Sequence, residues 1–362
     1  MPMYDVHVIV AGPAGSFAAI TALRDGKDVL LSEEHKKIGE PVHCSGLVSA
    51  SGLNQLSDVV NYKKIITNTI KKANLHGKNE HFSLSFSMPK AYVINRAMFD
   101  KLAVEKYLDE GGKLALSHKV QKTEDLKSKN IIGADGPVST ISRLFSFPKI
   151  SSYCACWQGE FKYHSQDTSA VEVFFNPDLC PGFIGWIIPF SKERAEIGLG
   201  VSYKKDLHSA KKQFLQELKM NKSKSLSDFS ALIPISARKV TGKTQGQYNV
   251  CLCGDSAGQV KATTGGGIFF GSQCARIAAN NFSKPKEYER KWREKFGADL
   301  ALHNAARMGI DALTADGIDL WLKSMKLARL DRLLCEIGEM DEYSKMLSHK
   351  AIAAYFKVLS QK

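Results

Sequence analysis

Three stretches of this chain share one pattern: an apolar run of strand length, a glycine-rich turn, and then a helical period. In the first, residues 4–11 lead through Gly12-Pro13-Ala14-Gly15 into a helix over 16–24. In the second, residues 130–132 lead through Gly133-Ala134-Asp135-Gly136-Pro137 into a helix over 139–144. In the third, residues 249–253 lead into the long loop 254–271, with its Gly265-Gly266-Gly267 run, and a helix over 268–281. Taken alone, each loop is equally well an ordinary glycine-rich surface turn. Together they are three loops that can meet on one dinucleotide, and that convergence restricts the chain to an α/β architecture.

The first loop carries the most defined chemistry. Residues 28–32 form a second strand ending in Glu33, about twenty residues beyond the turn. Amides of such a turn cradle a pyrophosphate, and an acid at that distance binds a ribose. The first glycine of the G-x-G-x-x-G pattern falls on Val10, while Gly12, Gly15 and Glu33 keep their register. A β-branched residue resists positive φ and crowds a phosphate, so Val10 is expected to weaken dinucleotide binding without abolishing it. In the third loop, Asp255 stands just past a strand end, where a carboxylate accepts hydrogen bonds from ligand hydroxyls. The glycines bring backbone amides close to a flat ligand, at a helix end that favours an anion. That combination suits a reduced flavin, which carries negative charge near N1 and its C2 oxygen.

Composition narrows the class. The chain has 362 residues, 44% hydrophobic and 24% charged, which places it among globular proteins of two or three structural units. No apolar run approaches the ~20 residues of a membrane span, and the N-terminal residues run straight into a strand without a leader pattern. Among eight cysteines, Cys154/Cys156 and Cys251/Cys253 are spaced i, i+2, not as CxxC. They read as buried free thiols in a reducing, cytoplasmic setting. The net charge is +13, and residues 204–243 hold ten Lys or Arg against three acids. No nucleic-acid-binding motif accompanies the charge, so nucleic acid is not an expected partner. An acidic protein, an anionic headgroup, a membrane surface or simple solvation each fits.

The remaining segments add candidates. Residues 38–49 contain Pro41 and Gly46, read as a turn into a helix with Cys44 at its entry. A thiol there tends towards a lowered pKa, and it serves equally as a small buried filler. His43 reads as a loop histidine. Residues 65–87 alternate as hairpins expected away from the nucleotide half. Residues 95–109 form a helix whose first turn carries Arg96, against the dipole, which points to an anionic partner. Short strands are expected near Leu114 and Val120. Residues 151–201 give four strands whose aromatics suit one wall of an apolar cavity. Residues 207–218 form a helix, 232–239 a strand returning to the nucleotide half, and 284–362 are helical.

On these motifs, the chain resembles the FAD-dependent geranylgeranyl reductase family, the archaeal digeranylgeranylglycerophospholipid reductases in particular, with the p-hydroxybenzoate hydroxylase type of flavoprotein fold. The resemblance spans nearly the whole chain. It implies a discontinuous Rossmann-like FAD domain (1–60, 90–150 and 240–283), a β-sheet substrate domain (61–89 and 151–239) and a C-terminal helical region (284–362). It implies FAD contacts at Gly12, Pro13, Ala14, Gly15, Glu33, Glu34, Cys44, Arg96, Asp135, Asp255, Gly265, Gly266, Gly267 and Ile268. Cys44 is expected at the flavin's reactive face, gating or delivering a proton. Trp186 is expected to wall the prenyl cavity.

The implied activity saturates carbon–carbon double bonds of a prenylated lipid or prenyl diphosphate. Such unpolarised alkenes require a dry cavity and close alignment. No second dinucleotide fingerprint is present, so the expected donor is an acidic protein such as ferredoxin, drawn to residues 204–243, or a reduced nicotinamide. A monomer, peripheral on the inner face of the cell membrane, is expected. Two features depart from the family. Its Tyr-x-Trp-x-Phe-Pro motif is here Ile184-Gly185-Trp186-Ile187-Ile188-Pro189, and residues 116–131 are shorter than usual. Trp186-x-Ile188-Pro189 also matches half of the Trp-x-Trp-x-Ile-Pro motif of flavin-dependent halogenases. A flavin monooxygenase or halogenase, and a non-catalytic flavin- or lipid-binding relative, are therefore the alternatives.

Overall fold

The computed structural model describes residues 4–346. Its nucleotide half is a six-stranded sheet in the order Gly242–Gln245, Tyr248–Leu252, Asn130–Gly133, Val6–Ile9, Val29–Ser32, Lys113–Ala115. Every pairing is parallel except the hairpin formed by the first two strands. Val6–Ile9 and Val29–Ser32 are buried along their whole length, as strands covered on both faces must be. The helix Pro13–Arg24 lays Phe17, Ala18, Ala19, Ile20 and Ala22 against this sheet. Its small residues allow helix Ile268–Ala279 to pack closely beside it. Helix Pro285–Asp311 adds Tyr288, Trp292 and Phe296 to the same core, and Tyr288 OH donates to Leu252 O at 2.5 Å.

A seven-stranded sheet faces this half, in the order Ser227–Pro234, Tyr153–Lys162, Arg194–Ser202, Gly185–Ser191, Ala170–Phe174, Lys72–His76, His81–Ser85. It is antiparallel except between Ala170–Phe174 and Lys72–His76. Helix Leu207–Glu217 covers its outer face through Ala210 and Phe214. A small antiparallel sheet, Leu47–Ser49, Ala91–Ile94 and Ile66–Ile70, lies beside the nucleotide half. No helix among the described residues is long and apolar enough to cross a membrane.

Four expectations change. Cys44 enters a strand, not a helix, because Leu47–Ser49 finds a partner in Ala91–Ile94 and the helix Ala50–Gln55 starts only afterwards. Ile66–Ile70 joins that small sheet, so residues 65–87 do not all form hairpins set apart from the nucleotide half. Ser227–Pro234 stays in the seven-stranded sheet, paired with Tyr153–Lys162, and does not return to the nucleotide half. Val120 is buried in a segment without strand pairing. The helical reading holds for Pro285–Asp311, Ala315–Leu327, Leu330–Ile337 and Tyr343–Met346, and 347–362 lie outside the described residues.

Candidate active site

Parallel pairing places the carboxyl ends of four neighbouring strands in a row, with the loops after Ile9, Ser32, Gly133 and Leu252 at one edge. Backbone hydrogen bonds link these loops: Val10 N–H donates to Ser32 O at 2.8 Å, and Ala134 N–H to Ile9 O at 3.1 Å. Glu33 Oε2 accepts from Ala11 N–H at 2.9 Å and so fixes the first turn from behind. Gly15 is required by close approach, since a Cβ there would run into Val10 O.

Val10 itself sits at φ +78°, a region that β-branched residues avoid. Its side chain packs against the Ile9, Ile131 and Ile141 cluster, which offsets the strain. Val10→Gly is expected to be more stable than Val10→Ala by about 1 kcal/mol, because alanine loses the same packing and keeps the unfavourable φ. Chemical denaturation of the two variants decides this, and the usual alanine-over-glycine order would remove the strain.

Residues 39–46 fold over the start of helix Arg96–Asp109. Gly46 has φ +72° and lies so close to Ile94 O that no side chain fits. The turn delivers Cys44 to Arg96, and Gly46 N–H donates to Cys44 Sγ at 3.4 Å. Desolvation pushes the half-buried thiol upward, and the Arg96 charge only partly opposes it. Cys44 is therefore a protonated thiol and not the activated thiolate that a helix entry would give. Arg96 Nη1 lies 2.5 Å from Asp100 Oδ1, off the hydrogen-bonding angle, and its Nε has no partner. Asp255 is within electrostatic reach of the same guanidinium. Desolvation raises its carboxyl to about 6, and it accepts no hydrogen bond among the described residues.

Beside this group opens a cavity of about 760 Å³ whose walls include Cys44, Arg96, Gln158, Phe190, Glu196 and Phe229. His43 lines it with its ring 5.2 Å from that of Phe229. Trp186 shares the sheet face of Gln158 and Glu196 but does not itself line the cavity. Its indole lies over Gly198, where a Cβ would be 2.5 Å from the ring, and Phe183 lies over Gly200 in the same way. Asp135 is engaged by its own helix: Oδ1 accepts from Ser139 Oγ at 2.6 Å and Oδ2 from Ile141 N–H at 2.9 Å. Both oxygens thus tie the loop to the helix that follows. Glu34 pairs with Lys119 at 2.7 Å, with its side chain 37% exposed, and shares none of these contacts.

Two groups here were not singled out from the sequence. One is the pair Gln158 and Glu196, the other Lys261, whose side chain crosses Gly266 and pairs with Asp341 at 2.7 Å. The signal for Glu196 was an acid inside an otherwise apolar strand.

The residues fit a flavin dinucleotide. Nothing of the protein lies within 4 Å of where a Cβ on Gly12 would stand, so the front of the first turn is open. Helix Pro13–Arg24 has no side-chain cap and no acid in its first turn, which leaves its amides free for an anion. Helix Ile268–Ala279 begins in the same way after Gly265, Gly266 and Gly267. Arg96 and Asp255 supply a cation and a hydroxyl acceptor between the two helix ends.

Comparison with known proteins places this geometry. The chain is 29% identical to the digeranylgeranylglycerophospholipid reductase of Methanocaldococcus jannaschii, over 88% of this chain and 89% of that protein. A geranylgeranyl bacteriochlorophyll reductase-like protein of Thermoplasma acidophilum matches in structure with a TM-score of 0.79 at 22% identity, covering 99% of this chain and 98% of that one. A flavin-dependent brominase matches with a TM-score of 0.69 at 16% identity, covering 99% and 98%. Both structural matches show a shared fold. No family model matches the chain.

Proposed function

We infer that this chain, a relative of the archaeal digeranylgeranylglycerophospholipid reductases, is an FAD-dependent reductase that saturates carbon–carbon double bonds of prenyl chains. One observation carries the reading: the Cys44 turn and Arg96 line one cavity, with Asp255 within electrostatic reach of Arg96, in a chain similar to a named reductase over nearly nine-tenths of its length. The monooxygenase and halogenase alternative rests on a shared fold at 16% identity and on half a motif whose tryptophan does not line the cavity.

In this reading, N–H groups of the Gly12–Gly15 turn would hold the pyrophosphate, with Glu33 setting the turn. Asp255 and Arg96 would hold the cofactor's polar chain, and amides at Gly266, Gly267 and Ile268 would stabilise its negative charge. Reduced FAD, once bound, supplies a hydride equivalent. The protein's part is to align the alkene, exclude water and hold a proton at hand. Cys44 gates the approach to the ring. Residues 204–243 dock the electron donor, an acidic protein, and the prenylated lipid reaches the site from a membrane surface.

Mass spectrometry of prenyl lipids after anaerobic incubation with the dithionite-reduced protein tests the function. Gains of two mass units per reduced bond are expected, and unchanged geranylgeranyl diphosphate and unsaturated ether lipids would reject it. Cys44→Ala should retain FAD affinity and lower turnover about tenfold, near 1.4 kcal/mol in the barrier. Steady-state kinetics of the variant at wild-type rate would take Cys44 out of the mechanism.

A further inference from the structure

We propose that Glu196, on the strand Arg194–Ser202, is the acid that supplies the proton for alkene reduction. The proposal rests on the reductase reading above. Glu196 lines the same cavity as the Cys44 turn, yet it is only 6% exposed. Its Oε2 accepts from Gln158 Nε2 at 2.7 Å, while Oε1 has no hydrogen-bond partner. Trp186 Nε1 approaches the carboxyl without completing a hydrogen bond. The remaining oxygen is thus a buried polar atom at a cavity wall, which ordinary packing leaves unexplained.

The surroundings keep that group neutral and replenishable. Desolvation raises its pKa to about 8, and Glu160, directly opposite across the sheet, pushes the same way. Glu160 is itself paired with Arg194. Glu196 lies within electrostatic reach of the Cys44 thiol. Arg96, Asp228 and His43 line the same cavity. An acid titrating near 8 is matched to transfer at neutral pH, whereas the Cys44 thiol is pushed above its ordinary range.

The step balances. The O–H bond of Glu196 breaks, and a C–H bond forms at one alkene carbon. The neighbouring carbon receives the hydride equivalent that the reduced cofactor would supply, so the alkene gains two electrons and two protons, one hydrogen on each carbon. The carboxylate then recovers its proton from solvent through the mouth of the cavity.

Glu196→Gln, which copies the neutral carboxyl but holds no transferable proton, is the test. It should bind FAD within about twofold of wild type by flavin-fluorescence titration. Turnover should fall tenfold or more, towards the hundredfold typical of lost general-acid catalysis. The alkaline limb of the wild-type pH profile near 8 should vanish, and Glu196→Asp should keep a limb at a shifted pH. In FAD-free protein, tryptophan fluorescence should titrate near 8 through Trp186, and the step should be absent from Glu196→Gln. A loss under tenfold, a limb that persists in the glutamine variant, or identical fluorescence titrations would overturn the assignment. If wild type itself reduces no prenyl lipid, the reductase reading falls first. If wild type and Glu196→Gln reduce it at rates within tenfold of each other, only Glu196 falls.

Discussion

Glu196→Gln will be more stable than wild type at pH 7.5, by about 2–4 kcal/mol, even as it loses activity. The carboxyl titrates near an ordinary 4.5 when unfolded and near 8 when folded. Between those values the folded state holds more protons than the unfolded one, so wild-type stability falls as pH rises through the window, by roughly 1.4 kcal/mol per unit. Below the lower value the two proteins should be equally stable. Above the upper one the gap should stop growing. Glutamine removes the slope while keeping an acceptor for Gln158. Chemical denaturation at pH 5, 6.5 and 8 measures it, and parallel stability curves would show that Glu196 ionises freely in the folded protein. A residue that lowers stability at neutral pH and faces a cavity is one whose presence function has to explain.

Asp341→Ala should destabilise the protein by about 3–5 kcal/mol, the typical loss when one partner of a buried ion pair is removed. Lys261 and Asp341 meet at 2.7 Å with side chains 8% and 4% exposed. Desolvation opposes the Asp341 charge, but Lys261 and a hydrogen bond from Ser49 outweigh it and hold the carboxyl below its usual range. Its contribution is therefore present at neutral pH and is lost only as pH falls through that lowered value. The alanine variant would strand the Lys261 ammonium beside Gly266. A double change, Lys261→Met with Asp341→Leu, should recover most of the loss, because an apolar pair of similar volume avoids the desolvation term. A single-variant loss under 1 kcal/mol in urea denaturation would mean that water reaches the pair.

What was legible in the sequence follows from how local each signal is. The strand–turn–helix units around Gly12, Asp135 and Asp255 could be read because apolar runs and glycines mark them within a few residues. Pairing was not legible. Leu47–Ser49 and Ser227–Pro234 are strands set by partners at Ala91–Ile94 and Tyr153–Lys162, and nothing local names those partners. Asp135 and Asp255 look alike in sequence, each an acid among glycines after a strand. They part because Ser139 and Ile141 N–H occupy the first, while the second keeps its carboxylate free. Glu196 stood in plain view within Ala195-Glu196-Ile197-Gly198-Leu199, and an acid amid a buried run is a signal worth weighing as heavily as a glycine motif.

The carbonyl of Val10 fills the volume that a side chain at residue 15 would need. The turn therefore has a single shape whether or not a phosphate stands before it. Its ordering entropy is lost when the chain folds, not when a ligand arrives. Association at the helix Pro13–Arg24 amides is then governed by how often a ligand meets a finished surface, without waiting for that surface to form.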